Sequence, residues 1–177
     1  VTLDARPKSG PGGNGREAGR TPEPPESAGA AAGPEAGGAP ADGVPIPASH
    51  LDLLTRPVHG VLTTMMAGGQ PQSCLVWCDY DGKFARVNTS LERQKGRNLS
   101  ANPKASLLIV DPDDTSRYLE IRAEAELGLE GALEHLDEIT RQYTPHACYY
   151  GYVYPLEKRE QETRVIVRLH AKRVTLD

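Results

Sequence analysis

Hydrophobic and polar positions alternate most regularly between residues 117 and 129. Most of the polar positions there are charged, and the apolar residues fall on odd-numbered positions: Leu119, Ile121, Ala123, Ala125 and Leu127. A period of two over this length predicts an antiparallel strand that is buried on one face.

Five further segments are short and apolar, and turn signals separate most of them. They predict strands over residues 58–66, 71–80, 83–88, 104–110 and 163–176. The dipeptide Asp81-Gly82 predicts a tight hairpin between two of these strands. Six strands joined mostly by hairpins favour a mainly β fold, a small closed or partly closed antiparallel barrel with few exposed strand edges.

Two other segments have the spacing of helices. Apolar residues recur every three or four positions from Leu133 to Tyr143, which predicts an amphipathic helix over residues 131–143. Residues 51–54 predict the end of a short helix ahead of the first strand.

A basic segment lies between the third and fourth predicted strands. Asn88-Thr89-Ser90 supplies three side chains that can cap a helix, and Asn102-Pro103 predicts its end. Four cationic residues and one anionic residue fall between positions 91 and 104. A helix N-terminus beside hydroxyl groups and Arg or Lys suits a phosphate, because free N–H groups, the helix dipole and charged donors converge there. A solvated basic loop is the alternative interpretation.

Composition divides the chain into two parts. Residues 1–47 contain 10 of the 18 glycines and 9 of the 15 prolines, and no aromatic residue. Such a segment cannot bury enough apolar surface to offset the entropy of ordering it, so it is predicted to be a disordered tail. Residues 48–177 are then predicted to form one domain with one core.

Charge and hydropathy limit the classes of partner. The formal net charge of −4 argues against nucleic acid as a general partner. No apolar run approaches the roughly 20 residues of a membrane-spanning helix, so no membrane partner is expected. The N-terminus lacks the apolar core of a secretion signal, and an odd count of three cysteines fits a reducing compartment, which together predict a cytoplasmic protein.

The patterns contain no catalytic group belonging to the protein itself. The five histidines lack metal-ligand spacing, and the glutamates of residues 117–129 form a solvated face, so neither a metal site nor an acid–base pair is expected. Residues Gly10 to Gly15 match G-x-G-x-x-G, but no strand precedes them and we interpret the match as chance. Any chemistry would then come from a bound cofactor.

Several short motifs follow one another in an order that is informative as a whole. They are Val61-Leu62-Thr63-Thr64, Gly69-Gln70-Pro71-Gln72-Ser73, Asn88-Thr89-Ser90, Arg93-Gln94-Lys95-Gly96-Arg97-Asn98 and Asn102-Pro103. This order resembles the flavin-binding split-barrel family, the pyridoxamine 5′-phosphate oxidase-like superfamily, over residues 50–177. It is most similar to the branch that uses the deazaflavin coenzyme F420.

The resemblance implies a six-stranded antiparallel split barrel with short flanking helices. It implies a homodimer with a cofactor in each of two grooves between the subunits. The cofactor-binding residues that carry over are Gln72, Ser73, Cys74 and Leu75 along the ring, Thr89 and Ser90 through their hydroxyls, Arg93 and Lys95 as the phosphate clamp, Arg97 and Asn98 close to it, and Arg164 from the partner subunit.

Two details distinguish the branches of this family. Its vitamin B6 oxidases have adjacent Arg and Lys in the clamp, whereas Gln94 separates Arg93 from Lys95 here. Those oxidases also use an Arg-x-His motif in the last strand, and here Arg168-Leu169-His170 lies four residues beyond Arg164. The spaced Arg-x-Lys therefore favours the deazaflavin branch.

The expected function is an F420-dependent oxidoreductase that transfers a hydride between the deazaflavin and a planar, electron-poor acceptor. The aromatic residues expected near that acceptor are Trp77, Tyr118, Tyr149 and Tyr150. An FMN-dependent oxidase or reductase on the same fold is one alternative. A non-catalytic flavin or deazaflavin binding or storage protein is another.

Overall fold

The computed structural model describes residues 43–177, which contain seven strands and three α-helices. The strands are β1 (Gly60–Met65), β2 (Pro71–Val76), β3 (Cys78–Tyr80), β4 (Ala85–Ser90), β5 (Lys104–Val110), β6 (Tyr118–Gly128) and β7 (Arg164–Leu176). The helices are α1 (Asp52–Thr55), α2 (Gln94–Ala101) and α3 (Ala132–Tyr143), with 3₁₀ turns at Ala48–His50 and Leu156–Gln161. The fold is mainly β, as the sequence predicts.

All seven strands form one antiparallel sheet in the order β2-β1-β5-β6-β7-β4-β3. The two edge strands, β2 and β3, follow each other in the chain with only Trp77 between them. The sheet must therefore curl until its two edges approach each other at Trp77. The result is a curled sheet that is close to a barrel.

The strand count differs from the expected six, because the segment predicted as one strand over residues 71–80 is two strands. The chain leaves one edge of the sheet at Val76 and joins the other at Cys78. The indole of Trp77 stacks on Tyr143 with ring centroids 5.3 Å apart, and its Nε1–H donates to His59 Nε2 at 3.2 Å. These contacts hold the crossing residue outside both strands.

The inner face of the curled sheet carries the main hydrophobic core. Alternate residues of β6 and β7 are buried there, including Leu119, Ile121, Val167 and Leu169. The strand predicted from the period of two over residues 117–129 is confirmed as β6, with a register shift between Arg122 and Ala123.

Helix α2 begins later than the sequence predicts. Asn88, Thr89 and Ser90 belong to β4, and the N-cap position is Arg93, which has no side-chain capping bond. The expectation that these three residues cap the helix is therefore wrong. Helix α2 instead packs closely on the end of β4, and Gly96 permits this because any Cβ there would overlap the Ser90 carbonyl oxygen.

Helix α3 covers the outer face of β4 and β7 with its buried residues Leu136 and Ile139. This outer face carries polar side chains, including Asn88 of β4 and Arg164 of β7. A second, smaller hydrophobic cluster forms around α3 and the tyrosine-rich segment at residues 149–154. The site described below lies beside this cluster.

The predicted disordered tail falls mostly on residues 1–42, outside the described part of the chain. From Gly43 the chain runs against β7, where the Val44 N–H donates to the Ala171 carbonyl at 2.8 Å. Within residues 43–177 no helix is both long and apolar enough to span a membrane. The same residues contain no cluster of three or more His, Cys, Asp or Glu arranged to hold a metal ion.

Candidate cofactor-binding site

A cavity of about 340 Å³ opens beside α3 on the outside of the curled sheet. Its walls come from the β2–β3 crossing, β4, the start of α2, α3, the tyrosine-rich segment and the start of β7. The lining residues are His59, Leu75, Val76, Trp77, Asn88, Arg93, Lys95, Leu136, Ile139, Tyr149, Val153 and Arg164. Cationic and aromatic side chains dominate the polar part of this wall, and none of the lining residues in the described chain is a carboxylate.

Three cations define one part of the wall, which we call the cationic end: Arg93, Lys95 and Arg164. The first two lie at the N-cap and second residue of α2, and the third opens β7. Ser90 and Arg164 are register partners in the β4–β7 pairing, which brings the start of α2 beside the start of β7. Local sequence therefore supplies two of the cations and strand pairing supplies the third.

Glu162 lies behind the cationic end and holds its two arginines. Its carboxylate accepts from Arg93 Nε at 3.1 Å and from the Tyr150 hydroxyl at 2.5 Å, and it lies 3.5 Å from Arg164 Nε. Burial opposes its ionisation, but the Tyr150 hydrogen bond and the charges of Arg164 and Arg93 lower the pKa of Glu162 below its ordinary value. One carboxylate thus partly balances three cations.

Tyr150 completes this network as a neutral phenol. Its hydroxyl accepts from Arg164 Nε at 3.0 Å while donating to Glu162. Burial, together with the hydrogen bond to Glu162, raises the pKa of Tyr150 to about 12. The phenol therefore keeps its proton at neutral pH and adds no charge to the cationic end.

Arg164 has an unsatisfied donor at the cavity wall. Its side chain is 3 % exposed, and within residues 43–177 its Nη2 atom has no hydrogen-bond partner. The face of its guanidinium lies over the ring of Tyr149, 4.8 Å from the centroid. Because an unpaired buried donor is costly, an anionic oxygen that reached this guanidinium would be stabilised.

A second part of the wall, which we call the aromatic end, surrounds the β2–β3 crossing. Trp77 lies between Tyr143 and Tyr149, stacked on the first and edge-on to the second at 6.2 Å. The Tyr143 hydroxyl accepts from the Cys78 N–H at 3.2 Å and lies 2.7 Å from the Val58 carbonyl oxygen and 2.9 Å from that of Cys78. Burial raises the pKa of Tyr143, so this hydroxyl stays protonated. The aromatic end suits a flat apolar ring.

Asn88 joins the cavity wall to a buried polar network. Its amide nitrogen donates to the Ala132 carbonyl at 2.7 Å and lies 3.3 Å from His135 Nδ1, while His135 Nε2 lies 3.3 Å from both Asp79 oxygens. Arg86 binds the same carboxylate through two bonds of 2.9 and 2.6 Å. Although burial opposes it, the bonds from His135 and Arg86 lower the pKa of Asp79. This network fixes α3 to β3 and β4.

The structure brings four of the residues predicted to bind a cofactor to one cavity: Leu75, Arg93, Lys95 and Arg164. The resemblance assigns Arg164 to the partner subunit, whereas here it lines a cavity together with Arg93 of the same chain. Leu75 is 70 % exposed on the edge strand β2. The cavity wall also contains a residue that the sequence motifs did not indicate, His59. Tyr143 and Glu162 support the wall through Trp77 and the two arginines. In the sequence Glu162 belongs to a run of charged residues, and its position two residues before Arg164 is the one indication of a role.

The other predicted residues do not line this cavity. In β2, Gln72 and Ser73 hydrogen bond to Thr64 and Thr63 of β1, and the Cys74 thiol faces the Leu62 carbonyl. In the basic segment, the residues that lie outside are Thr89, Ser90, Arg97 and Asn98.

Each of these last four residues is buried in the fold or hydrogen bonded within it. Thr89 is fully buried on the inner-face parity of β4, and Ser90 is fully buried at the end of that strand. Arg97 binds the Glu92 carbonyl and the Gln94 side chain of its own helix segment. The Asn98 amide donates to Thr64 Oγ1 at 2.9 Å and thereby fixes α2 to β1.

Arg168 and His170 are also placed away from the cavity. Glu126 of β6 lies 3.5 Å from the Arg168 guanidinium and 2.9 Å from His170 Nε2. His170 is buried and packs against Phe84 with ring centroids 4.5 Å apart. Both side chains of the Arg-x-His motif of this chain therefore contact Glu126.

Of the aromatic residues expected near an acceptor, Trp77 and Tyr149 line the cavity. Tyr150 lies one layer behind, bonded to Glu162 and Arg164. Tyr118 starts β6 as the register partner of Val110 and is not part of this wall.

The architecture is thus a curled antiparallel sheet, close to a barrel, with a cationic and aromatic cavity on its outer face. The family model described as pyridoxamine 5′-phosphate oxidase matches residues 46–176. The chain therefore belongs to this family, whose split-barrel fold includes oxidoreductases. No curated protein matches the chain.

Solved structures of the same fold include a similar protein described as an F420 reductase. It is 30 % identical, with a TM-score of 0.63, over 73 % of this chain and 98 % of that protein. A conserved hypothetical protein from Mycobacterium tuberculosis is 26 % identical with a TM-score of 0.58, over 77 % of this chain and 87 % of its own.

A more distant structure belongs to the heme storage protein HutZ from Vibrio cholerae. It is 16 % identical with a TM-score of 0.52, over 71 % of this chain and 89 % of that one. At this identity the likeness shows the fold alone.

Proposed function

We propose that this protein is an F420-dependent oxidoreductase that transfers a hydride between the deazaflavin and a planar, electron-poor acceptor. The observation that carries the proposal is the cavity itself, whose wall combines Arg93, Lys95 and the unsatisfied Arg164 with Trp77. The 30 % identity to an F420 reductase over nearly all of that protein supports the choice of cofactor.

The cationic end would hold the anionic tail of the cofactor. Arg93 and Arg164 are already oriented by Glu162, so their remaining N–H groups can meet phosphate or carboxylate oxygens without a large rearrangement. Lys95, in the first turn of α2, adds a mobile point charge.

The aromatic end would orient the flat ring against the acceptor. Trp77 is fixed by its stacking on Tyr143, and Leu75 and Val76 supply apolar surface beside it. When bound, the reduced deazaflavin supplies a hydride, which is two electrons with one hydrogen nucleus. The protein's contribution is to hold donor and acceptor in reacting geometry and to exclude water from them.

An FMN-dependent activity is the second candidate, and one observation favours it. Arg97 is engaged within its own helix segment, so the cavity wall offers three cations, with Glu162 behind them, and not four. This smaller positive charge suits the single phosphate of FMN as well as the longer tail of F420.

Fluorescence titration with F420 and FMN decides between them. We expect micromolar or tighter binding of F420 and weaker binding of FMN. The double variant Arg93→Ala with Lys95→Ala should lose about 2–4 kcal/mol of F420 binding free energy, roughly 30- to 1000-fold in affinity. Lys104→Ala is the matched control, since Lys104 belongs to the same basic segment but does not line the cavity.

The titration has two contrary results. A preference for FMN would replace the proposed cofactor. Equal affinity in the double variant would show that Arg93 and Lys95 do not hold the tail. Tight binding together with no oxidation of the reduced cofactor by any acceptor would instead support a binding or storage protein.

We also propose that the protein acts as a homodimer. The edge strand β2 presents Leu75, 70 % exposed, and Met66, 39 % exposed, follows β1 beside it. A second copy would cover this apolar edge. Light scattering coupled to size-exclusion chromatography tests the dimer, and a monomer at working concentration would contradict it. The expected absence of nucleic-acid partners and the cytoplasmic location stay predictions from sequence.

A further inference from the structure

His59 lies in the cavity wall with one of its two ring nitrogens fixed. The Trp77 indole donates from Nε1 to His59 Nε2 at 3.2 Å. An indole N–H is a donor only, so His59 Nε2 must be the acceptor in this contact. A neutral imidazole with an unprotonated Nε2 carries its proton on Nδ1.

The other nitrogen is free to donate. Among residues 43–177 no hydrogen bond to His59 Nδ1 occurs, and the side chain is exposed and lines the cavity. The ring is held in place by an edge-on contact with Tyr143, with centroids 5.4 Å apart and planes at 80°. The wall therefore offers an oriented N–H donor beside the indole that flanks the predicted ring site.

The contact with Trp77 determines the tautomer of the neutral ring. A proton on Nε2 would take away the acceptor of the Trp77 N–H. Tyr143 faces the ring as a neutral phenol. The geometry thus favours a neutral imidazole that donates from Nδ1. A neutral imidazole can polarise a carbonyl without giving up its proton.

We propose that His59 is a catalytic residue that donates a hydrogen bond from Nδ1 to the acceptor oxygen on which negative charge collects. Trp77 is its positioning residue, because it selects the tautomer. The catalytic part of this inference rests on the proposed oxidoreductase function, while the assignment of the tautomer does not. The acceptor class it implies is a conjugated carbonyl compound such as a quinone.

The step balances as follows. The acceptor carbon gains a hydrogen nucleus with two electrons, and the π pair of the conjugated system moves onto the oxygen. His59 N–H stabilises that oxygen and keeps its own proton, and water supplies the proton that completes the product. The acceptor is reduced by two electrons and the deazaflavin is oxidised by two.

Nitrogen-15 NMR of protein labelled in histidine tests the tautomer without cofactor or substrate. At neutral pH we expect the His59 signals of a neutral ring protonated at Nδ1. In Trp77→Phe, which keeps an aromatic ring for stacking on Tyr143 but removes the N–H, the ring should shift toward the Nε2–H form. A charged ring, or an Nε2–H tautomer in the native protein, would overturn the proposal.

Kinetics with a soluble naphthoquinone as acceptor tests the role in reaction. We expect His59→Ala to lower kcat at least tenfold with less than a twofold change in cofactor Kd, and His59→Asn to recover most of the loss because its amide restores an N–H near Nδ1. Trp77→Phe should also lower kcat, because the ring is then no longer held as the Nδ1–H tautomer. An unchanged kcat in His59→Ala would refute the catalytic role.

The two proposals fail separately. If the titration shows a preference for FMN, the same kinetics with reduced FMN still decide the role of His59 while the F420 assignment fails. If F420 binds as expected and His59→Ala is fully active, the cofactor assignment stands and the inference on His59 is wrong.

Discussion

The two ends of the cavity are held in place in different ways. At the cationic end, Arg93 and Arg164 are tied to a side chain, the Glu162 carboxylate. At the aromatic end, the Tyr143 hydroxyl is tied to backbone groups of residues 58 and 78, one on each side of the crossing at Trp77. The Glu162 carboxylate carries a charge that depends on pH, whereas the backbone groups around Tyr143 carry none. The comparison teaches that charge orients the cationic end while neutral hydrogen bonds orient the aromatic end.

The largest effect should come from breaking the support of the cationic end. Gly96→Ala places a methyl group on the Ser90 carbonyl oxygen, so α2 must move away from β4. We expect a loss of about 3 kcal/mol in the free energy of unfolding, at the upper end for overpacking. Urea denaturation measures it, with Gly69→Ala as control. Gly69 has open space around it and a φ of 82°, so only conformational strain of about 1 kcal/mol is expected there.

A matched pair of arginines sharpens the comparison at the cationic end. Arg164 and Arg168 lie on the same side of β7, but only the first lines the cavity, and the second pairs with Glu126. Arg164→Ala should weaken cofactor binding by about 2–3 kcal/mol, and Arg168→Ala by less than about 0.5 kcal/mol. Isothermal titration measures both. Equal losses in the two variants would mean that the cavity is not the binding site.

Loss of the backbone tether should have a moderate effect on the aromatic end. Tyr143→Phe removes the hydroxyl that joins residues 58 and 78, and the expected cost is about 1–2 kcal/mol of unfolding free energy. The chain has a single tryptophan, Trp77, so its fluorescence reports on this region directly. Tyr118→Phe is the control, and a larger loss there than in Tyr143→Phe would contradict the tether.

The smallest expected effect is a loss of stability at acid pH, which should come from the carboxylates of Glu162 and Asp79. The pKa of Glu162 is lower in the folded protein than its ordinary value of 4.5, and that of Asp79 is lower than 3.8. Their stabilisation is therefore fully present above about pH 4.5 and is lost as the pH falls through the folded values. Thermal unfolding followed from pH 7 to pH 3 should show this decline, and Glu162→Gln should reduce its slope. An identical slope in the variant would exclude Glu162 as a contributor.

The sequence predicts the fold well where buried and exposed positions alternate regularly along a strand. Strand β6 is predicted by its alternation alone, because one face packs on the core and the other meets solvent or charged partners. The break at Trp77 was not predictable in this way. Residues 71–80 contain no internal glycine or proline, and the break arises because the two halves pair with strands at opposite edges of the sheet.

The site was predictable only in part for a related reason. The cluster of Arg93 and Lys95 is local in sequence, so its charge stands out. Thr89, in contrast, carries a hydroxyl that could bind a ligand, but its position in β4 places it on the buried inner face of the sheet. His59 and Glu162 are unremarkable as sequence positions, and they matter because tertiary contacts place them beside Trp77 and Arg93.

The position of β7 in the sheet has a consequence for folding kinetics. β7 lies between β6 and β4 and so joins the four strands β2-β1-β5-β6 to the β3–β4 hairpin. Its pairing with β4 brings Arg164 beside Ser90 across a long stretch of chain, and non-local pairings of this kind are slow to form. Since Arg164 is the first residue of β7, the cationic end of the cavity is complete only when β7 has paired with β4.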